Sequence, residues 1–157
     1  MNQLNKRLLF FLTTFVLSIL GATGLLVVRA RNTKLQKAIA LQTARRYLAD
    51  GQYQKALRAC RSGLRLVRTE PAFYEIAAQA YLKLDQPLGA IYAYQRLASV
   101  NPQEVASLEK VCRIAAEHKA FRQLRDAAIE ILNRKANHPQ AHKWAAKAWA
   151  ALGELDK

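Results

Sequence analysis

After residue 29, apolar side chains recur every three or four positions. Short polar breaks interrupt them at Asp50-Gly51, Thr69-Glu70-Pro71, Asp85-Gln86-Pro87, Asn101-Pro102, His118-Lys119, Asn137-His138-Pro139 and Gly153. That spacing predicts helices and leaves no strand-like alternation. Several breaks set Asn, Asp or Thr ahead of proline, the pattern of a helix N-cap followed by a first-turn proline. Helices of about 12 to 16 residues joined by breaks this short pack as antiparallel neighbours.

Residues 8–28, "LLFFLTTFVLSILGATGLLVV", contain no charged side chain. As a helix they reach the roughly 30 Å of a bilayer core, so a retained transmembrane helix is expected. The apolar stretch of a signal peptide is shorter, about 7 to 15 residues, although "VRA" at residues 28–30 has the form of a cleavage site. Between Gly24 and Asp50 only Asn32-Thr33 interrupts helical character. The anchor is therefore expected to run almost straight into the first helix beyond it. Lys6 and Arg7 precede the span, and Arg29, Arg31, Lys34 and Lys37 follow it. The side richer in Lys and Arg tends to stay cytoplasmic. This balance favours a cytoplasmic C-terminal domain, with a periplasmic or extracytoplasmic one as the alternative.

Beyond the span the chain has a fixed period. Ala44, Ala78, Cys112 and Ala146 stand 34 positions apart. Three residues after each come Tyr47, Tyr81, Ala115 and Trp149, and the turns fall at Gly51, Asp85, Lys119 and Gly153. Small side chains at a fixed place let two helices approach closely. The second helix of each unit keeps the same frame: Ala56, Cys60 and Gly63, then Ala90, Tyr94 and Leu97, then Leu124, Ala128 and Ile131. Offsets of four and three put each set on one face.

In these features the sequence resembles the tetratricopeptide repeat (TPR) family, whose 34-residue helix-turn-helix carries W-x2-L-G-x2-Y, then A-x3-F, then P. The best match has Tyr74 in place of the Trp, Ala77-Ala78 for Leu-Gly, Tyr81 for Tyr, Ala90 for Ala, Tyr94 for Phe and Pro102 for Pro. With the expected transmembrane helix in front, the fold is all-α, and the resemblance implies that a short right-handed α-solenoid of about three hairpins with a C-terminal capping helix follows it. Its parts are a flank at 1–7, the span at 8–28, a basic helical connector at 29–36 and a repeat domain at 37–157. The repeat domain divides into units 37–70, 71–104 and 105–138 and a closing helix at 139–153. The resemblance also implies a concave groove, lined by the first helices, that binds an extended peptide or a partner helix. Its candidate residues, which point away from the small-residue face, are Arg45, Glu75, Gln79, Arg113, Lys143 and Lys147. Some members clamp a C-terminal carboxylate with paired Lys and Asn. Glu75 and Glu109 stand where Lys is needed, which disfavours that use.

Charge changes this picture most. The chain of 157 residues is 52% hydrophobic, with 6 Gly and 4 Pro, and carries a formal charge of +14. Residues 29–70 alone hold 11 Lys or Arg against Asp50 and Glu70. Lys55, Arg58, Arg61, Arg65 and Arg68 follow spacings of three and four opposite Ala56, Cys60 and Gly63, so they form a basic stripe facing outward. A stripe beside a membrane span is a candidate for contact with anionic lipid headgroups. Nucleic acid is disfavoured, since no aromatic-rich basic platform accompanies it.

Catalytic signals are missing from the sequence. There is no Gly-rich phosphate loop, nucleophile elbow, paired catalytic carboxylates or Cys-x-x-Cys, so neither enzymatic activity nor a cofactor is expected. His138 and His142 are four apart, but Pro139 places His138 at or before a helix start. With no further ligand nearby, surface or capping histidines are expected rather than a metal site. Cys60 and Cys112 sit among apolar neighbours and are expected to be buried thiols. The function expected is a single-pass membrane-anchored adaptor that binds a protein partner, with an acidic segment, and assembles or localises a complex at the bilayer. The alternatives are an extracytoplasmic assembly factor of the same fold, and a basic module for anionic lipid or nucleic acid.

Overall fold

The computed structural model describes residues 31–153. The expected span at 8–28, its flank and its junction with the connector lie outside the described residues. Among the described residues, no helix is long and apolar enough to cross a membrane. The chain divides into two compact units, residues 1–38 and 39–157.

Seven helices account for the described chain: α1 (31–49), α2 (Tyr53–Leu66), α3 (Pro71–Lys83), α4 (Pro87–Val100), α5 (Ala106–Glu117), α6 (Phe121–Arg134) and α7 (Pro139–Leu152). From α2 on, each helix packs against the next in the chain, and α5 also touches α7. This nearest-neighbour pattern is that of a helical-repeat stack, in which each hairpin buries its apolar face on the following one.

The punctuation explains the boundaries. Pro71, Pro87 and Pro139 open α3, α4 and α7, where a missing N–H costs nothing and the fixed φ is already helical. The residues at the caps are Glu70, Gln86 and His138, and only His138 makes a side-chain cap bond. Asn101-Pro102 departs from the sequence expectation: Asn101 is the C-cap of α4, and α5 begins only at Ala106. There the Asn101 amide donates to the Glu104 carboxylate at 2.8 Å. The four periodic turn positions share one conformation. Gly51 (φ 72°), Asp85 (54°), Lys119 (55°) and Gly153 (68°) are all left-handed. Glycine meets this requirement without strain at two of them, while Asp85 and Lys119 bear the steric cost of a Cβ.

The core follows the 34-residue frame. Ala44, Ala78 and Cys112 are each 0% exposed, and Ala56, Cys60 and Gly63 on α2 are buried with them. Two glycines serve as sockets. A Cβ on Gly63 would overlap the Phe73 ring of the next hairpin, and one on Gly89 would stand 2.6 Å from the Tyr81 ring. Tyr94 is buried and Tyr81 half-buried against the core. Tyr74 buries its ring while its hydroxyl donates to the Arg68 carbonyl at 2.7 Å, fixing the α2–α3 turn.

The frame fails at its last position. Ala146, expected in the buried small-residue row, is exposed, and Trp149 is 38% exposed. Helix α7 turns Ala141, Ala145 and Ala148 inward instead, because among the described residues no second helix follows to cover the Ala146 face.

Candidate functional site: the face of the first helices

The first helices of the hairpins are α1, α3, α5 and α7, and all six groove candidates on them are exposed: Arg45 on α1, Glu75 and Gln79 on α3, Arg113 on α5, Lys143 and Lys147 on α7. Positions four apart on one helix share a face. On α3 and α5 that face continues to Lys83 and Glu117, which offset each other in charge.

Lys110, which the sequence did not single out, organises this surface together with Glu109 and His138. Lys110 on α5 lies 3.7 Å from the Glu75 carboxylate on α3, and its ammonium stands 5.1 Å over the Tyr94 ring. Burial, and after it the charge of Glu75, pushes the Tyr94 phenol up, so it stays protonated. One hairpin further on, Glu109 accepts from His138 across 2.8 Å. His138 Nδ1 accepts from the Ala141 N–H at 3.2 Å, capping α7. A nitrogen that accepts carries no proton, so Nε2 is the protonated nitrogen and the ring is neutral. The ring also stacks on Trp144 at 6.5 Å, and its side chain is only 12% exposed. His138 is thus a partly buried cap; His142 and His118 are exposed.

The charges on this face are mostly basic. Of the two acidic groups near the centre of the face, Glu75 is ion-paired with Lys110, while Glu109 accepts a hydrogen bond from the neutral His138 ring and keeps its charge. Among the described residues Arg45, Arg113, Lys143 and Lys147 have no ion pair. Their charge is left facing solvent.

The outward stripe of α2 lies elsewhere. Lys55, Arg58, Arg61 and Arg65 are exposed on the helix, but Arg68 falls beyond its end, in the turn after the Val67 C-cap. The stripe also divides. Lys55 lies over the Tyr47 ring at 5.8 Å and shares a hollow of about 470 Å³ with Arg58, Ala40 and Ser62. Arg61 lines a separate apolar pocket with Tyr92 of α4. Cys60 and Cys112 are free and buried, and desolvation pushes both thiols up to about 12.

No family model matches the chain, and no curated protein does. Solved structures do match. The first TPR domain of Spaghetti (RPAP3), bound to the HSP90 peptide SRMEEVD, is 15% identical with a TM-score of 0.54, over 76% of this chain and 94% of that one. MamA is 19% identical with a TM-score of 0.55, over 83% and 70%. The Yersinia enterocolitica type III secretion chaperone SycD, in complex with a peptide of the translocator YopD, is 14% identical with a TM-score of 0.52, over 74% and 88%. Likeness at such identities is a likeness of fold: the described hairpins form a TPR-like stack.

Proposed function

We propose that the repeat domain is a non-catalytic protein-binding module that holds an acidic segment of a partner along the face of α1, α3, α5 and α7. Residues 8–28 anchor it in a bilayer, so that it assembles or localises a complex there, on the cytoplasmic side by the flanking charges. The observation that carries the reading is the unpaired charge of Arg45, Arg113, Lys143 and Lys147 on a face where Glu75 is already ion-paired with Lys110. Two structural neighbours, RPAP3 and SycD, were solved with peptides bound, which supports the same use of the fold here. Capture of a C-terminal carboxylate is not part of the reading, because Glu75 and Glu109 stand where the clamping Lys residues would be needed.

The test is charge reversal. Replacing Arg113 and Lys147 together by Glu is expected to weaken binding of a fluorescent acidic peptide at least about tenfold, since each rim reversal costs on the order of 1 kcal/mol. The thermal melt should not change, because both residues are exposed. Arg65→Glu, on the outward side of α2, is the control and should leave affinity alone. Equal affinity for the Arg113/Lys147 variant and the parent chain would refute the site.

A further inference from the structure

Leu88 and Tyr92 are each 62% exposed, one turn apart on α4. Arg96 follows a further turn on, and Ser99 lies on the same side, both exposed. Arg61 of α2 and Tyr92 line one apolar pocket of about 130 Å³, floored by Leu57, Leu64 and Tyr81. The cationic row of α2 and the apolar row of α4 therefore form one continuous surface. Among the described residues Arg58, Arg61, Arg65 and Arg96 have no acidic partner.

The repeat supplies its own comparison. One period after Tyr92 and Arg96 stand Asp126 and Glu130 of α6, paired with Arg125 at 3.1 Å and Arg134 at 2.9 Å. Arg134 also reaches the Ala98 and Glu104 carbonyls, a structural role. At these two positions the third hairpin thus presents paired charges, and Arg122 stands where the second hairpin has Leu88. The first two combine uncompensated arginines with a large exposed tyrosine and leucine.

We propose that the outward surface shared by α2 and α4 lies on an anionic phospholipid bilayer, with Tyr92 and Leu88 entering the headgroup boundary and Arg58, Arg61, Arg65 and Arg96 on lipid phosphates. Aromatic and aliphatic side chains beside a basic row are the chemistry of an interfacial contact. Each arginine near such a surface strengthens association about fivefold. Single-stranded nucleic acid fits less well, because it needs successive stacking rings and this surface presents one. The contact holds the opposite side of the hairpins from the peptide-binding face, so both can be occupied together. It does not depend on that site.

The experiment uses the full chain in vesicles, with Ser99→Cys carrying a nitroxide. Cys60 and Cys112 are buried and escape the reagent. Flotation with neutral phosphatidylcholine vesicles reports the anchor by itself. In vesicles with about 30 mol% phosphatidylserine the label's accessibility to an aqueous nickel chelate is expected to fall at least about threefold relative to neutral vesicles. A label at Gln79→Cys should stay aqueous in both. Reversing Arg58, Arg61 and Arg65 to Glu, or changing Leu88 and Tyr92 to Ser, should restore access at residue 99. A chain that floats but keeps residue 99 equally accessible in both vesicles overturns the proposal and leaves the anchor standing. Burial of the label by an oligonucleotide, with none by anionic vesicles, overturns it as well.

Discussion

Phe73→Ala is expected to destabilise the repeat domain by about 3–5 kcal/mol, a large share of the 5–15 kcal/mol typical of a domain. Phe73 is among the largest wholly buried side chains, and its ring rests on Gly63 of the preceding hairpin. The cost combines lost apolar burial with a cavity that the helices cannot close. Gly63 makes the prediction specific. In an ordinary helix Gly→Ala gains about 1 kcal/mol. Here the added methyl meets the ring, so Gly63→Ala should instead cost about 1–3 kcal/mol. In the Phe73→Ala background the methyl enters vacated space and the sign should reverse. Urea denaturation of the four proteins measures this cycle. An equal effect of Gly63→Ala in both backgrounds would mean that α2 and α3 do not meet as described.

His138→Ala should cost about 2 kcal/mol, from the lost cap of α7 and the lost hydrogen bond to Glu109. Glu109 is partly exposed and can recruit water, so the cap is the larger part. His138→Asn keeps a capping oxygen but cannot span to Glu109, and should recover about half the loss. Thermal melts of the two variants separate the contributions. If Asn and Ala are equally destabilising, the cap is not what His138 provides.

The periodic part of this fold is legible in the sequence because it is written in residue size and backbone freedom. Ala44, Ala78 and Cys112 mark where helices touch, and Gly51, Asp85, Lys119 and Gly153 mark the left-handed turns. Ala146 shows where the pattern misleads: a position's burial depends on the helix that covers it, and period alone does not supply one. Asn101-Pro102 reads like a helix start yet ends α4, since the same residue pair suits either side of a break. The candidate face was legible as exposed positions but not as an electrostatic surface. Glu75 meets Lys110 one repeat plus one residue later, and His138 meets Glu109 across two hairpin helices. Opposite charges about one period apart on successive first helices are the signal that would have found the first pair. The second was legible in part: Pro139 marks His138 as a cap, but nothing local marks its reach to Glu109.

Where a partner binds is read by amide shift mapping of the isotope-labelled chain during titration with a short acidic peptide. Perturbations are expected at Arg45, Gln79, Arg113, Lys143 and Lys147, with little change along the outward rows of α2, α4 and α6. Perturbations confined to those outward rows, or none at saturating peptide, would contradict the proposed site.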